Sequence, residues 1–185
     1  MIHRNYSTAF FSATTPRTAG FNTIDLATQS FPTIMIIILL MWIGGSPAST
    51  AGGIKTSTFA LATLNIISLA KSKNRIEIFG REISNNSIKR SFAAISLSLM
   101  VIGIGILIIG AVEPELSFLH IIFECFSAYS TVGLTLGITT KLTIVSKCVL
   151  MLIMFIGRVS MLTILIALFE EVKFTNYKTP KEEIL

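Results

Sequence analysis

From Leu26 to Ala70 the chain carries one charged residue, Lys55, and the run breaks once, at Gly44-Gly45-Ser46-Pro47-Ala48-Ser49-Thr50-Ala51-Gly52-Gly53. Four glycines and a proline in ten residues cannot sustain a regular helix. The flanking apolar stretches, 31–43 and 56–70, are each too short to cross a bilayer, which takes about 20 residues. The expected structure is therefore one membrane helix interrupted at its middle. Irregular backbone at membrane depth is tolerated only where protein buries it or a wet cavity borders it. That makes residues 44–53 the first candidate for function.

The remainder of the sequence agrees with a membrane setting. Charged residues make up 14% of the chain, against about 25% in soluble domains, and 52% of residues are hydrophobic. This excludes a disordered chain and argues against an ordinary soluble enzyme. The net charge of +5 does not indicate nucleic acid as a partner. Its densest part, Lys71, Lys73, Arg75, Arg81, Lys89 and Arg90 against Glu77 and Glu82, lies between two apolar spans. This is the pattern of a cytoplasmic loop under the positive-inside rule.

Beyond that loop, residues 91–112 form an uncharged run long enough to span, closed by Glu113-Pro114-Glu115. Residues 116–129 are apolar but short, as in a re-entrant helix; 130–140 are rich in Gly and Thr; 148–169 form the last span. The expected fold is an all-α integral membrane protein of helix–pore loop–helix repeats, with re-entrant pore helices and one interrupted membrane helix. Its parts are a partial repeat over 1–70, a cytoplasmic basic loop over 71–90, a complete repeat over 91–169 and a cytoplasmic tail over 170–185. The loops at 18–22 and 130–135 are expected to face outward.

The two parts repeat without gaps. At an offset of 113 positions Phe10 pairs with Phe123, Thr18 with Thr131, Gly20 with Gly133, Met41 with Met154 and Gly44 with Gly157. Apolar matches between membrane helices are common, but the glycines and the threonine in register are not. A parallel repeat implies pseudo-symmetry about an axis along the membrane normal, on which the two Thr-x-Gly elements converge. They are Thr18, Ala19, Gly20, Phe21 and Asn22, and Ser130, Thr131, Val132, Gly133 and Leu134. A dehydrated monovalent cation needs oxygens in place of water, and filters supply them as backbone carbonyls. Glycine allows the backbone angles that aim them. A short helix ending at each element brings its partly negative end toward the axis. Two ordinary helix-linking turns are the competing reading.

Four stretches carry a family resemblance. Thr15-Pro16-Arg17-Thr18-Ala19-Gly20-Phe21-Asn22 and Phe126-Ser127-Ala128-Tyr129-Ser130-Thr131-Val132-Gly133-Leu134-Thr135 resemble the third and fourth filter loops of the Trk/Ktr/HKT potassium transporters, closest to the Ktr type. Residues 44–56, ending Gly53-Ile54-Lys55-Thr56, resemble the loop that interrupts the intervening helix, and Gly157-Arg158 the Gly-Arg of the last helix. The resemblance implies four repeats around one pore, of which this chain holds the third without its first helix and the fourth. It implies potassium as the transported ion, held by backbone carbonyls, and allows sodium as a second ion. It further implies a multi-pass plasma-membrane protein amid lipid, a homodimer of the full-length subunit, and a cytosolic nucleotide-binding regulatory subunit. The alternative is a non-conducting fragment or assembly subunit that needs the missing repeats from another chain.

Lys55-Thr56 fails the phosphate-loop pattern, because Ile54 separates Gly53 from Lys55. Arg158 lies mid-span, where a charge costs about 2.5–3.5 kcal/mol; the resemblance implies a place below the filter, opposing cations as part of the gate with residues 44–53. Glu124 reads as a packing or pore-mouth charge. His3 and His120 are isolated, and Cys125 and Cys148 suggest neither a disulfide framework nor a metal site. No nucleophile–base pair supports an enzyme.

Overall fold

A computed structural model of the chain describes residues 6–71, 77–78 and 81–159. Six helices carry the described fold: α1 (Tyr6–Thr14), α2 (Phe31–Trp42), α3 (Thr56–Ala70), α4 (Asn85–Val112), α5 (Phe118–Tyr129) and α6 (Ile144–Val159). A two-residue antiparallel ladder, β1 (Glu77–Ile78) with β2 (Arg81–Glu82), lies within the basic loop. Among the described residues the fold is thus helical apart from this ladder and one isolated parallel bridge, Ile43 with Ile54.

Local sequence sets the helix ends. Ser30 precedes α2 and a proline occupies its first turn, where the missing N–H costs nothing. α2 stops at the glycine-rich break, and α3 starts only after it. α4 begins at Asn85, earlier than the expected 91, so Lys89 and Arg90 lie on the helix and not in the loop. Long basic side chains at a helix end can bury their stems and keep their heads in water, so they need not terminate the helix. At 28 residues α4 is the one described helix long and apolar enough to cross a membrane. α6 begins at Ile144, before the expected 148. The end of the last expected span, 160–169, and the tail after it lie outside the described residues.

Glu113, just past α4, explains where α6 starts. Its Oε1 accepts from the Thr143 backbone N–H at 2.8 Å and from the Ser146 hydroxyl at 3.2 Å. It thereby satisfies one backbone N–H, that of Thr143, at the end where a helix leaves such groups free. These bonds, the Thr143 backbone N–H first, hold the Glu113 carboxyl below its ordinary range.

α5 lies at the centre of the packing. One face meets Ile102 and Ile109 of α4 and Leu150 and Ile153 of α6 through Ile121 and Cys125. Its other face carries Phe123 against Ile34, Ile37, Ile38 and Met41 of α2, with Val132 and Leu134 alongside. Gly105 of α4 lets Ile153 approach, since a Cβ there would overlap the Ile153 Cδ1. Small residues at such crossings are how helices associate in lipid, where close packing replaces hydrophobic drive. Leu107, Leu152 and Phe155 remain outward and exposed.

Candidate functional site

The two Thr-x-Gly elements follow the C-terminal ends of α1 and α5. Their backbones match: Thr18 and Thr131 have φ of +65° and +51°, and Gly20 and Gly133 of +74° and +88°. A β-branched residue in the left-handed region is an outlier that costs about 1–3 kcal/mol. Both elements place one at the same step. In each, a hydroxyl from the helix end closes the turn. Thr15 Oγ1 donates to the Phe21 carbonyl and Ser127 Oγ to the Leu134 carbonyl, both at 2.6 Å. Phe21 and Leu134 are partners at the 113-residue offset.

The elements meet. A Cβ on Gly20 would overlap the Val132 carbonyl oxygen, and the Thr18 hydroxyl donates to the Ser130 carbonyl at 3.5 Å. Gly133 has open space around it, so only its backbone angle requires glycine there. Ser130 Oγ and Thr131 Oγ1 are buried and have no hydrogen-bond partner among the described residues. A buried hydroxyl without a partner costs roughly 1–3 kcal/mol, and these two lie at the junction. The side chains of Phe21 and Asn22 face outward, whereas those of Val132 and Leu134 are buried.

The glycine-rich segment packs beneath the second element. Its ends are tied together: Gly44 N–H donates to the Ile54 carbonyl at 2.8 Å, Ile54 N–H to Trp42 at 3.2 Å and Thr56 N–H to Gly45 at 3.1 Å. A Cβ on Gly52 would overlap Thr131 Oγ1 and lie 2.7 Å from the Ser130 carbonyl oxygen. A Cβ on Gly157 would overlap the Tyr129 carbonyl oxygen. The repeat partners Gly44 and Gly157 thus both permit backbone contacts. Ser46, Pro47, Ala48, Ser49 and Thr50 form the exposed part of the loop.

Three cationic side chains hold this loop by its carbonyls. Arg17 Nη1 donates to Gly44 at 3.3 Å. Lys55 Nζ donates to Ser49 at 3.0 Å and to Ala51 at 2.6 Å. Arg158 Nη1 donates to Thr50. The sequence points to Arg158 but not to these roles of Lys55 and Arg17. The available signal was the isolation of Lys55, the single charge from Leu26 to Ala70. Lys55 and Arg158 also border a cavity of about 110 Å³, with Gly53, Tyr129 and Gly157. That is room for a few waters, each of which occupies about 30 Å³ in the liquid.

Among the described residues no group of three or more His, Cys, Asp or Glu side chains could hold a metal ion. Cys125 and Cys148 are free thiols, one buried and one exposed.

Residues 2–177 match the sequence model of the TrkH family, described as cation transport protein. The chain belongs to the TrkH family. The family transports cations and is not a family of enzymes. The Ktr system potassium uptake protein B of Bacillus subtilis is 40% identical over 95% of this chain and 39% of its own length. The potassium/sodium uptake protein NtpJ of Enterococcus hirae is 39% identical over 95% of this chain and 40% of its own. The Ktr system potassium uptake protein B of Vibrio alginolyticus is 36% identical over 96% of this chain and 38% of its own. This TrkH-family chain thus spans about two fifths of the length of these relatives.

Proposed function

We propose that the chain supplies half of the ion pathway of a Trk/Ktr-type potassium uptake subunit in the plasma membrane. The observation that carries this reading is the contact between two matched left-handed turns at a junction with two unpartnered buried hydroxyls. The carbonyls of 18–22 and 130–134 are the oxygens that replace the water of potassium, two quarters of a four-part ring. The left-handed steps at Thr18, Gly20, Thr131 and Gly133 turn successive carbonyls of each element, which an extended chain would aim alternately. The printed names of relatives, potassium uptake and potassium/sodium uptake, support potassium as cargo and admit sodium.

In this reading α2, the loop and α3 form one interrupted crossing, α4 and α6 are further crossings, and α1 and α5 are pore helices. Residues 44–53 form the gate. The loop lies against Ser130 and Thr131, consists mostly of small residues, and has a cavity at its side into which it can move. Arg158 acts there by gripping the Thr50 carbonyl as well as by repelling cations. A homodimer of the complete subunit and a cytosolic nucleotide-binding regulator complete the assembly; the relatives' designation as a Ktr system is in keeping with several components.

The test is ion competition in the complete transporter that includes this chain. Gly133→Ser should reduce the preference for potassium over sodium by about tenfold, the equivalent of about 1.4 kcal/mol, at unchanged abundance in the membrane. Unchanged competition would remove Gly133 from the filter.

A further inference from the structure

Glu124 is a buried carboxylate in the middle of α5, only 6% exposed. No lysine or arginine among the described residues pairs with it. Its Oε1 instead accepts from the hydroxyl of Thr135, and Thr139 Oγ1 lies 2.9 Å away from it. Thr139 Oγ1 is also 2.9 Å from Thr135 Oγ1, which accepts in turn from the Gly137 N–H at 2.9 Å. Gly137 has φ of +89°. One carboxylate oxygen therefore gathers the whole segment that leaves the second Thr-x-Gly element, starting two residues after Gly133.

The first element has no such bracket to its preceding helix; the one carboxylate at its exit, Asp25, caps only its own turn through the Ala27 N–H at 3.0 Å. At the 113-residue offset, Glu124, Thr135 and Thr139 correspond to Phe11, Asn22 and Leu26. Leu26 is buried in the apolar cluster with Ile34 and Leu134, so apolar packing anchors the first exit where hydroxyls and a carboxylate anchor the second. Burying a carboxylate is costly unless hydrogen bonds compensate it. An apolar residue can secure such an exit by packing alone, as Leu26 does in the first repeat. The polar bracket adds direction: it fixes the Thr135 hydroxyl and, with Ser127 on the Leu134 carbonyl, the path of the backbone between them.

We propose that Glu124, acting through Thr135 and Thr139, is a positioning residue that fixes the exit of the second filter element and so sets the cation preference of the pathway. The inference rests on the potassium-pathway reading above. Ion discrimination depends on the placement and field of a few carbonyls. An exit segment released from α5 lets those of Val132 and Gly133 relax around a smaller ion.

The experiment measures the KM for potassium and the inhibition constant of sodium in the complete transporter, with abundance at the membrane followed in parallel. Glu124→Ala and Thr139→Val should each move the ratio of these constants toward sodium, by about tenfold for the loss of one charge-assisted hydrogen bond. Glu124→Gln keeps an acceptor oxygen for both hydroxyls and should stay within about twofold of the unsubstituted protein. Glu124→Ala combined with Thr139→Val should be no worse than Glu124→Ala alone, because both remove the same bracket. An unchanged ratio in Thr139→Val, whose side chain is exposed and outside the core, overturns the proposal even if Glu124→Ala fails to reach the membrane. A Glu124→Gln variant as impaired as Glu124→Ala also overturns it, since charge and not position would then be the cause. Absence of potassium uptake by the unsubstituted transporter would instead overturn the pathway reading itself, and this inference with it.

Discussion

Glycine serves two different purposes in this chain, and substitution separates them. Gly20 and Gly157 are places where a Cβ would overlap a backbone carbonyl oxygen; backbone can yield only by moving an element. Gly133 has free space and needs glycine for its φ of +88° alone. Gly20→Ala and Gly157→Ala are therefore expected to lower the amount of folded protein in the membrane severalfold. Gly133→Ala should cost about 1–2 kcal/mol of backbone strain and leave abundance nearly intact. Immunoblots of membrane fractions and thermal unfolding in detergent would distinguish them. The sequence made all three glycines visible through the repeat, but not which kind each is, because the distinction depends on what lies opposite in space. Lys55 and Arg17 were obscured for a related reason. Their partners are backbone carbonyls, and these leave no mark in a sequence. The Glu124 bracket joins residues 11 and 15 positions apart across a turn, beyond any helical periodicity.

The elements themselves were more legible. The ends of α2 and α3 follow from the exhaustion of apolar residues at Gly44 and their return after Lys55. α4 begins six residues before the uncharged run at 91, because basic residues that ride on a helix end look like loop in a sequence. The loop between α2 and α3 is tied at its ends and gripped by three cations; if it is the gate proposed above, its resistance to opening is divided among them. Lys55→Met, which releases two carbonyls, should raise resting potassium flux more than Arg158→Ala, which releases one. Deleting Ser46 to Ser49 should raise it most and loosen dependence on a regulatory subunit. Lower flux from a deletion that still reaches the membrane would make the loop a scaffold. At the other end of α4, Glu113 ties α6 in place. Its folded-state pKa lies below the ordinary value, so its contribution is present above that value and is lost as pH falls through the lowered pKa. Thermal unfolding between neutral and strongly acidic pH should therefore show an acid-labile component that Glu113→Gln abolishes.

Across the whole molecule α5 is the common support: it packs on α2, α4 and α6 and carries the second Thr-x-Gly element at its end. The chain has two such elements, and four close a ring in the proposed assembly. In the proposed assembly the basic loop lies on the cytoplasmic side. With Cys148 replaced by Ser, a cysteine at Lys71 should resist impermeant reagents applied to intact cells, and external labelling would reverse the topology. The claim that these residues form half of a potassium pathway is tested most directly by growth and rubidium uptake at limiting potassium in a strain without potassium transporters. The strain would express this chain, a segment supplying the two missing repeats and the missing helix, or both. Uptake is expected only from the combination. No uptake when both are present in the membrane, or equal uptake from the complementary segment alone, would contradict the account.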